Sequence, residues 1–542
     1  MLRASLLAFA IATTWGVAVY AEDAPPMKIL VKSFQIEGDN PLGTAANEAL
    51  LPFVGEYDGL EPLYAAKDAL NSALANGGFR FYRATLPAQD IDSGTVVIKI
   101  VALPIGKVDV RGAKHVTPAS VERSLRALKA GQTPNTLEVS RALAVANEHP
   151  SKHLRVNFAE SEETPDSLDA IVNVTEEKPW SVFAQINNIG SEASTNQPAG
   201  LGNIDTGDNA GTGRSRLTMG GQYNNLTRHD DIITGTVTTS PENADNVLQY
   251  ATAYQLPIYR LNGWLNAFYV HSEVDVQGVQ NAFDIAGAGI FYGASFKHQL
   301  LNIGRYKHSY TFGMQDRLFD TAIAASTSDL RIPSLSTKVR SRPVSFRYDG
   351  GYNWAETSLD FFFDVNRNLE MGEHNDGTAY RLVRAPATPD WTVVHFGLLA
   401  TQRLPRGFSA LGRLTAQFTD QALIPGEELG VGGAHTVRGF EERTIAGDKG
   451  VILNFELWSP PVRQALGTRF LGFIDVGHKA LVDPVIGQRQ NDTISSIGVG
   501  ARWQWRKQVL LAIDYGLPLA SADGEASDRG NSKWHLDLSY RY

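Results

Sequence analysis

Cysteine is missing from all 542 residues, which excludes a disulfide scaffold, a thiol nucleophile and any cysteine-ligated metal. Long apolar runs are nearly missing as well. The one candidate opens the chain, where Arg3 precedes an uncharged stretch from Leu6 to Tyr20. That stretch is shorter than the ~20 residues a spanning helix needs, and Val19 and Ala21 supply the small residues a signal peptidase reads. Residues 1–21 therefore read as a cleaved secretory signal, with the mature chain starting near Glu22. Strong charge of one sign is lacking too: a net charge of −9 is modest for this length and argues against a nucleic-acid partner. So is catalytic spacing, with no Gly-x-Ser-x-Gly elbow, no His-Glu-x-x-His pair and no phosphate-binding Gly-Lys-Ser/Thr loop. His149 and His153 are interrupted by Pro150 and accompanied by no acid, so they read as polar loop residues rather than metal ligands. The expectation is a chain with no catalytic, cofactor-binding or metal-binding residues.

What is present falls into two textures. Residues 28–178 contain helical periodicity; residues 180–542 contain almost none. The first part repeats the order β-α-α-β-β. A strand over 28–38 precedes helical stretches over 44–56 and 61–76, and strands over 79–86 and 95–102 follow. In the second helix Leu63, Ala66, Leu70, Ala73 and Leu74 share one face, and Gly77-Gly78 ends it. The order returns with a strand at 106–112, a helix opened by Thr117-Pro118, a helix over about 136–148, and strands near 153–160 and 168–176.

From residue 180 onward, strands of about ten residues alternate with polar segments rich in Gly, Asn, Asp and Ser. In 263–274, Trp264, Phe268, Val270 and Val274 lie on one face and Tyr269, His271 and Glu273 on the other. In 248–256, Tyr250, Thr252, Tyr254 and Leu256 oppose Gln249, Ala251, Ala253 and Gln255. The last strand is the clearest, with Trp534, Leu536, Leu538, Tyr540 and Tyr542 against His535, Asp537, Ser539 and Arg541. For an exported chain, such alternation with fifty glycines, eighteen tyrosines and nine tryptophans points to a transmembrane antiparallel β-barrel with aromatic girdles. About 360 residues at ~10 per strand plus loops fit an even number near sixteen.

The segment 430–450 carries the sharpest motif: Val437-Arg438-Gly439-Phe440, with Gly432-Gly433 before it and Gly447-Asp448-Lys449-Gly450 after it. An arginine between such glycines, in a loop spanning about 425–450, is placed to reach something. Further on, Phe473-Ile474-Asp475-Val476-Gly477 sets an acid on the polar face of a strand. A guanidinium offers a planar fork to a carboxylate that a lysine does not match.

These features together resemble the outer-membrane transporters of two-partner secretion (TpsB), the haemolysin activation/secretion type exemplified by ShlB, FhaC and HecB, in the superfamily that includes the BamA insertase. The resemblance covers essentially the whole mature chain. Leu86-Pro87-Ala88-Gln89-Asp90-Ile91 with Gly94 looks like the end of that family's first POTRA (polypeptide-transport-associated) domain, and Asn187-Asn188-Ile189-Gly190-Ser191 is family-like at the barrel entrance. What it implies is a signal peptide at 1–21, POTRA modules at 22–103 and 104–178, and a barrel over 179–542 whose long loop folds inward. Arg438 would pair with Asp475 of the wall strand, flanked by Phe473 and Gly477, and the loop would serve as a gate. Trp534, Tyr540 and the C-terminal Tyr542 resemble the sorting signal of outer-membrane barrels.

The implied partners are a cognate secreted exoprotein (TpsA-type) held by the POTRA modules, outer-membrane lipid, and the barrel assembly machinery during biogenesis. The implied place is the outer membrane of a Gram-negative bacterium with the modules in the periplasm, where no ATP is available and folding of the passenger outside would bias its passage. Some family members carry a pore-plugging helix before the first module; too few residues separate Glu22 from the strand at 28 for one here. The rival readings are a BamA/TamA-like assembly factor, which usually has more modules, and a porin or barrel enzyme, which needs no long periplasmic region.

Overall fold

The computed structural model describes residues 28–190, 213–244, 247–272, 288–323, 335–520 and 532–542. The expected signal segment 1–21 and the residues bearing on the plug helix lie outside these, as does Ser191. The chain divides into two compact units after Leu103.

In the first unit, strands β1 (Lys28–Val31) and β2 (Ser33–Gly38) replace the single expected strand. The break has a cause: the Lys32 and Ser33 amides both turn to the Gly94 carbonyl, at 2.7 and 3.3 Å. Helix α1 (Thr44–Leu50) is shorter than the sequence pattern indicates, because Pro52 tightens the next residues into one 3₁₀ turn before strand β3 (Gly55–Asp58). Helix α2 (Glu61–Asn76) buries Leu63, Ala66, Leu70 and Leu74 as the periodicity predicts. Strands β4 (Tyr82–Thr85) and β5 (Thr95–Ala102) complete a sheet of order β2-β5-β4, with β2 parallel to β5. Gln89 explains its own motif. Its side chain donates to the Val97 carbonyl at 2.7 Å and accepts from the Val97 amide at 2.6 Å, standing in for a strand beside β5.

The second unit opens with the same three-stranded topology, without a counterpart of the β1–β3 pair among the described residues. Strands β6 (Ile105–Arg111), β7 (Lys152–Glu160) and β8 (Leu168–Glu176) form a sheet of order β6-β8-β7, with helices α3 (Pro118–Ser124) and α4 (Thr136–Ala146) packed on it. Thr117 caps α3 through the Ser120 amide. Asn135 caps α4 through the amides of Leu137 and Glu138.

From Trp180 on, seventeen strand segments close into one antiparallel barrel. Two of them, Leu335–Ser341 and Pro343–Asn353, are halves of one strand, since both pair with Tyr306–Ile323, so the barrel has sixteen strands. The short turns, such as 225–231, 259–262 and 354–356, share one end with the second module, while the long connections, such as 369–391 and 419–448, share the other. The last strand, Lys533–Arg541, closes on the first, Trp180–Asn187, at five register positions from Asp537↔Asn187 to Arg541↔Phe183. Asn188 lengthens this seam with its side chain, donating to the Trp534 carbonyl at 2.7 Å and accepting from the Leu536 amide at 2.8 Å.

Along the last strand Trp534, Leu536, Leu538 and Tyr540 point outward and His535 inward, matching the sequence pattern. The strand Gly263–Ser272 keeps the expected partition but turns its apolar face inward: Leu265 is exposed on the outside, and Trp264 and Val270 are buried inside, while Glu273 and Val274 lie outside the described residues. Trp264 is covered by Val145 of module two, and Val270 by residues that fill the lumen. Val270, Phe291, Phe319 and Val339 pack against the short helix Gly377–Val383 and Trp391, which fold into the barrel from the connection 369–391.

Candidate functional site

The connection 419–448 returns on itself. Leu429–Val431 pairs with Ile445–Gly447, and between them the Gly433 amide reaches the Val437 carbonyl at 3.1 Å, making a narrow tip. Val437 and Phe440 anchor it in an apolar cluster with Val431, Ile445, Ile452 and Ile494. Arg438, between them, is aimed at the wall.

Arg438 Nε donates to Asp475 Oδ2 at 2.7 Å, Nη2 to Oδ1 at 2.9 Å, and the Arg438 amide adds a third bond to Oδ2 at 3.1 Å. Asn454 on the twelfth strand supplies a fourth donor to Oδ1 at 2.8 Å while also donating to the Thr436 carbonyl of the tip. The remaining guanidinium nitrogen, Nη1, faces Glu456 at 2.7 Å, and the Phe473 ring stacks 3.6 Å from Cζ. Arg438 is 4 % exposed and Asp475 fully buried, so removing Arg438 strands the Asp475 carboxylate at a cost of about 3–5 kcal/mol, less where water reaches it.

Small residues permit this approach. A Cβ on Gly477 would lie 2.2 Å from Val431 Cγ1 and 2.9 Å from Val437 Cγ2, so Gly477 is the space the tip occupies. Gly439, at φ +92°, takes a left-handed turn and lies against Gly516 of the fifteenth strand, where a Cβ would meet its backbone at 2.5 Å. The Gly439 amide then donates to His535 Nε2 on the last strand at 3.0 Å. The four motif residues Val437 to Phe440, with Phe473, Asp475 and Gly477, thus form one assembly. Trp534, Tyr540 and Tyr542 lie outside it on the outer surface; Tyr542 packs 5.5 Å from Trp180, with Lys178 over its ring.

Two further clusters escaped the sequence reading. Arg384, just after the helix Gly377–Val383, binds Asp448 through two nitrogens at 2.5 and 2.9 Å and Glu428 at 2.9 Å. Asp448 also accepts from the amides of Leu423 and Val482, both at 2.6 Å, and so ties three long connections together. Its place between Gly447 and Lys449 was a usable signal; nothing local marked Arg384.

The second cluster joins module two to the barrel. Asp230, in the turn 225–231, accepts from Lys152 Nζ at 2.7 Å, Tyr259 OH at 2.8 Å and Ser120 Oγ at 2.8 Å. Trp264 donates its indole N–H to the Val145 carbonyl at the end of α4, at 3.1 Å. Burial pushes the Lys152 ammonium below its ordinary value even beside Asp230. Burial also opposes the charge on Asp230, but Lys152, Tyr259 and Ser120 hold that carboxyl below the usual carboxylate range. His149, read as a polar loop residue, lies in the turn after α4 but is buried there, and burial together with Lys152 lowers it to about 4. His153, read in the same way, is exposed but lies on β7 rather than in a loop.

Comparison with known proteins places this architecture. Residues 198–503 match the haemolysin secretion/activation protein ShlB/FhaC/HecB family, and residues 29–102 match the ShlB-type POTRA domain. The chain belongs to the ShlB/FhaC/HecB family. The outer membrane transporter CdiB of Escherichia coli is 22% identical over 524 residues, covering 94% of this chain and 82% of that protein. The heme/hemopexin transporter protein HuxB of Haemophilus influenzae is 20% identical over 420 residues, covering 74% and 67%. Among solved structures, CdiB from Escherichia coli superposes with a TM-score of 0.73 at 16% identity over 98% of this chain and 93% of that one. BamA from Haemophilus ducreyi lacking POTRA domains 1–3 gives 0.51 at 14% identity, covering 95% and 100%. This ShlB-family chain is a two-partner-secretion transporter of the outer membrane, with its POTRA modules on the periplasmic side. The family is one of secretion channels, not of enzymes.

Proposed function

We propose that this transporter takes one unfolded exoprotein from the periplasm, holds it along the sheet edges of its POTRA modules and passes it through the barrel to the cell surface, without catalysis of its own. The edge strands suit the task. Adding a guest strand to β4 or β7 uses backbone hydrogen bonds, which accept many sequences. The observation that carries the reading is the inward loop: a buried, multiply bonded Arg438–Asp475 pair holds a tip that is neither wall nor surface, so it serves as the gate. Signal cleavage after Ala21 and insertion by the barrel assembly machinery precede this work.

Deleting the gene and comparing culture supernatants tests it. Loss of one large exoprotein, restored by complementation, with other outer-membrane barrels at normal levels, is the expected result. A general loss of barrels would instead identify an assembly factor.

A further inference from the structure

Lys152 and Asp230 are 0 % and 1 % exposed, at the contact between module two and the short-turn end of the barrel. Burying two charges is an expensive way to make a contact, since apolar residues of similar volume would adhere at least as well. What the charges add is direction. Three donors from three elements converge on one carboxylate: Ser120 from α3, Lys152 from the start of β7 and Tyr259 from the turn after the fourth strand. The turn holds the acceptor still, because the Asp230 amide donates to Asn225 Oδ1 at 2.9 Å. Tilt or rotation of the module breaks at least one of these bonds. The indole of Trp264 fixes the end of α4 independently.

Lys152 is also the first residue of β7, the edge strand of the module's sheet. The group that locks the module therefore sits where that edge meets the barrel. We propose that the Lys152–Asp230 pair is a latch that keeps module two docked on the barrel during transport, so that a passenger lying along β7 is delivered at the pore entrance. Both are positioning residues, acting through the placement of β7. The inference rests on the proposed secretion function and deepens it.

The cysteine-free chain allows a direct test. Glu148 and Lys297 lie outside the latch, each about one-third exposed, across the same contact at 2.8 Å. With E148C and K297C spin-labelled, dipolar broadening of the continuous-wave electron paramagnetic resonance spectrum should give one short, narrow distance, broadened by D230A. In cells, D230A should lower the supernatant level of the exoprotein found by gene deletion at least tenfold, with normal barrel abundance and heat-modifiable mobility. Joining positions 148 and 297 with a short reducible bis-methanethiosulfonate should restore secretion to within twofold of wild type, and reduction should abolish the rescue. A role in folding alone would not be rescued in this way. If D230A does not reach the membrane, the D230N/K152M pair, which keeps a hydrogen-bonding side chain for Ser120 and Tyr259, is read by the same criteria.

Secretion arrested by the cross-link in the otherwise wild-type chain would overturn the latch, since the module would then have to swing. So would a broad distance in the unmutated background. A narrow distance with no exoprotein lost on deletion would instead overturn the secretion function and leave the docking standing.

Discussion

Arg438 shows at the scale of one residue why type and place both matter. The guanidinium uses Nε and Nη2 on Asp475, Nη1 on Glu456 and its face on Phe473. A lysine keeps the charge but loses the planar fork and the stacked face. Arg438→Ala is therefore expected to destabilise the docked tip by about 3–5 kcal/mol before screening by lumen water, and Arg438→Lys, which keeps the charge but not the fork, by less. Planar-bilayer recordings should show more frequent opening for both variants; channels indistinguishable from wild type would remove the gate from the pair. His149 gives a second prediction. Its folded-state value near 4 lies below the ordinary histidine range, so the folded protein binds fewer protons than the unfolded one, and stability falls as pH drops from about 6.5 toward 4. Thermal melts of the purified protein across that window should show the loss, and His149→Leu should flatten it. The sequence showed Arg438 and Asp475 because each sits in a local pattern. It hid the burial of His149, which depends on the barrel turn folding over it.

At the scale of elements, Asp448 and the seam are the informative cases. Asp448 joins the connections 369–391, 419–448 and 481–490 through one carboxylate, so Asp448→Asn should loosen all three while leaving the strands paired. Limited proteolysis of whole cells should then cut these connections faster without loss of the heat-modifiable barrel. Asn188 closes two hydrogen bonds beyond the short register of first and last strands, so Asn188→Ala should lower the temperature at which the barrel opens in semi-native gels. Strands were legible from alternation, and α2 from its apolar face. Strand Gly263–Ser272 was harder, because its apolar face packs on a helix inside the lumen rather than on lipid. Alternation reports two unlike faces; which one is wet depends on what fills the barrel.

Seen whole, the molecule places its order in the sequence unevenly. Module topology follows from a repeated pattern of about seventy-five residues, legible along the chain because each module packs its own helices on its own sheet. Strand number was legible from length and spacing. The attachment of module two was not, since Ser120, Lys152, Asp230 and Tyr259 come from separate stretches and each is ordinary where it stands. The aromatic C-terminus acts at this scale as well: Tyr542 lies against Trp180 beneath Lys178, a pairing suited to the membrane–water boundary. Tyr542→Ser should reduce the amount of protein reaching the outer membrane, measured by quantitative immunoblotting of membrane fractions, rather than the activity of each copy that does.

The loop tip touches the twelfth, thirteenth, fifteenth and last strands, through Asn454, Asp475, Gly516 and His535. All four of these residues lie C-terminal to the loop itself. During biogenesis the arginine is thus made before its berth exists, and the full set of tip contacts forms once the final hairpin supplies Gly516 and His535. Locking is in this sense a proof of completion: a chain stalled short of Lys533 keeps its tip loose and open to protease, and a finished barrel hides it.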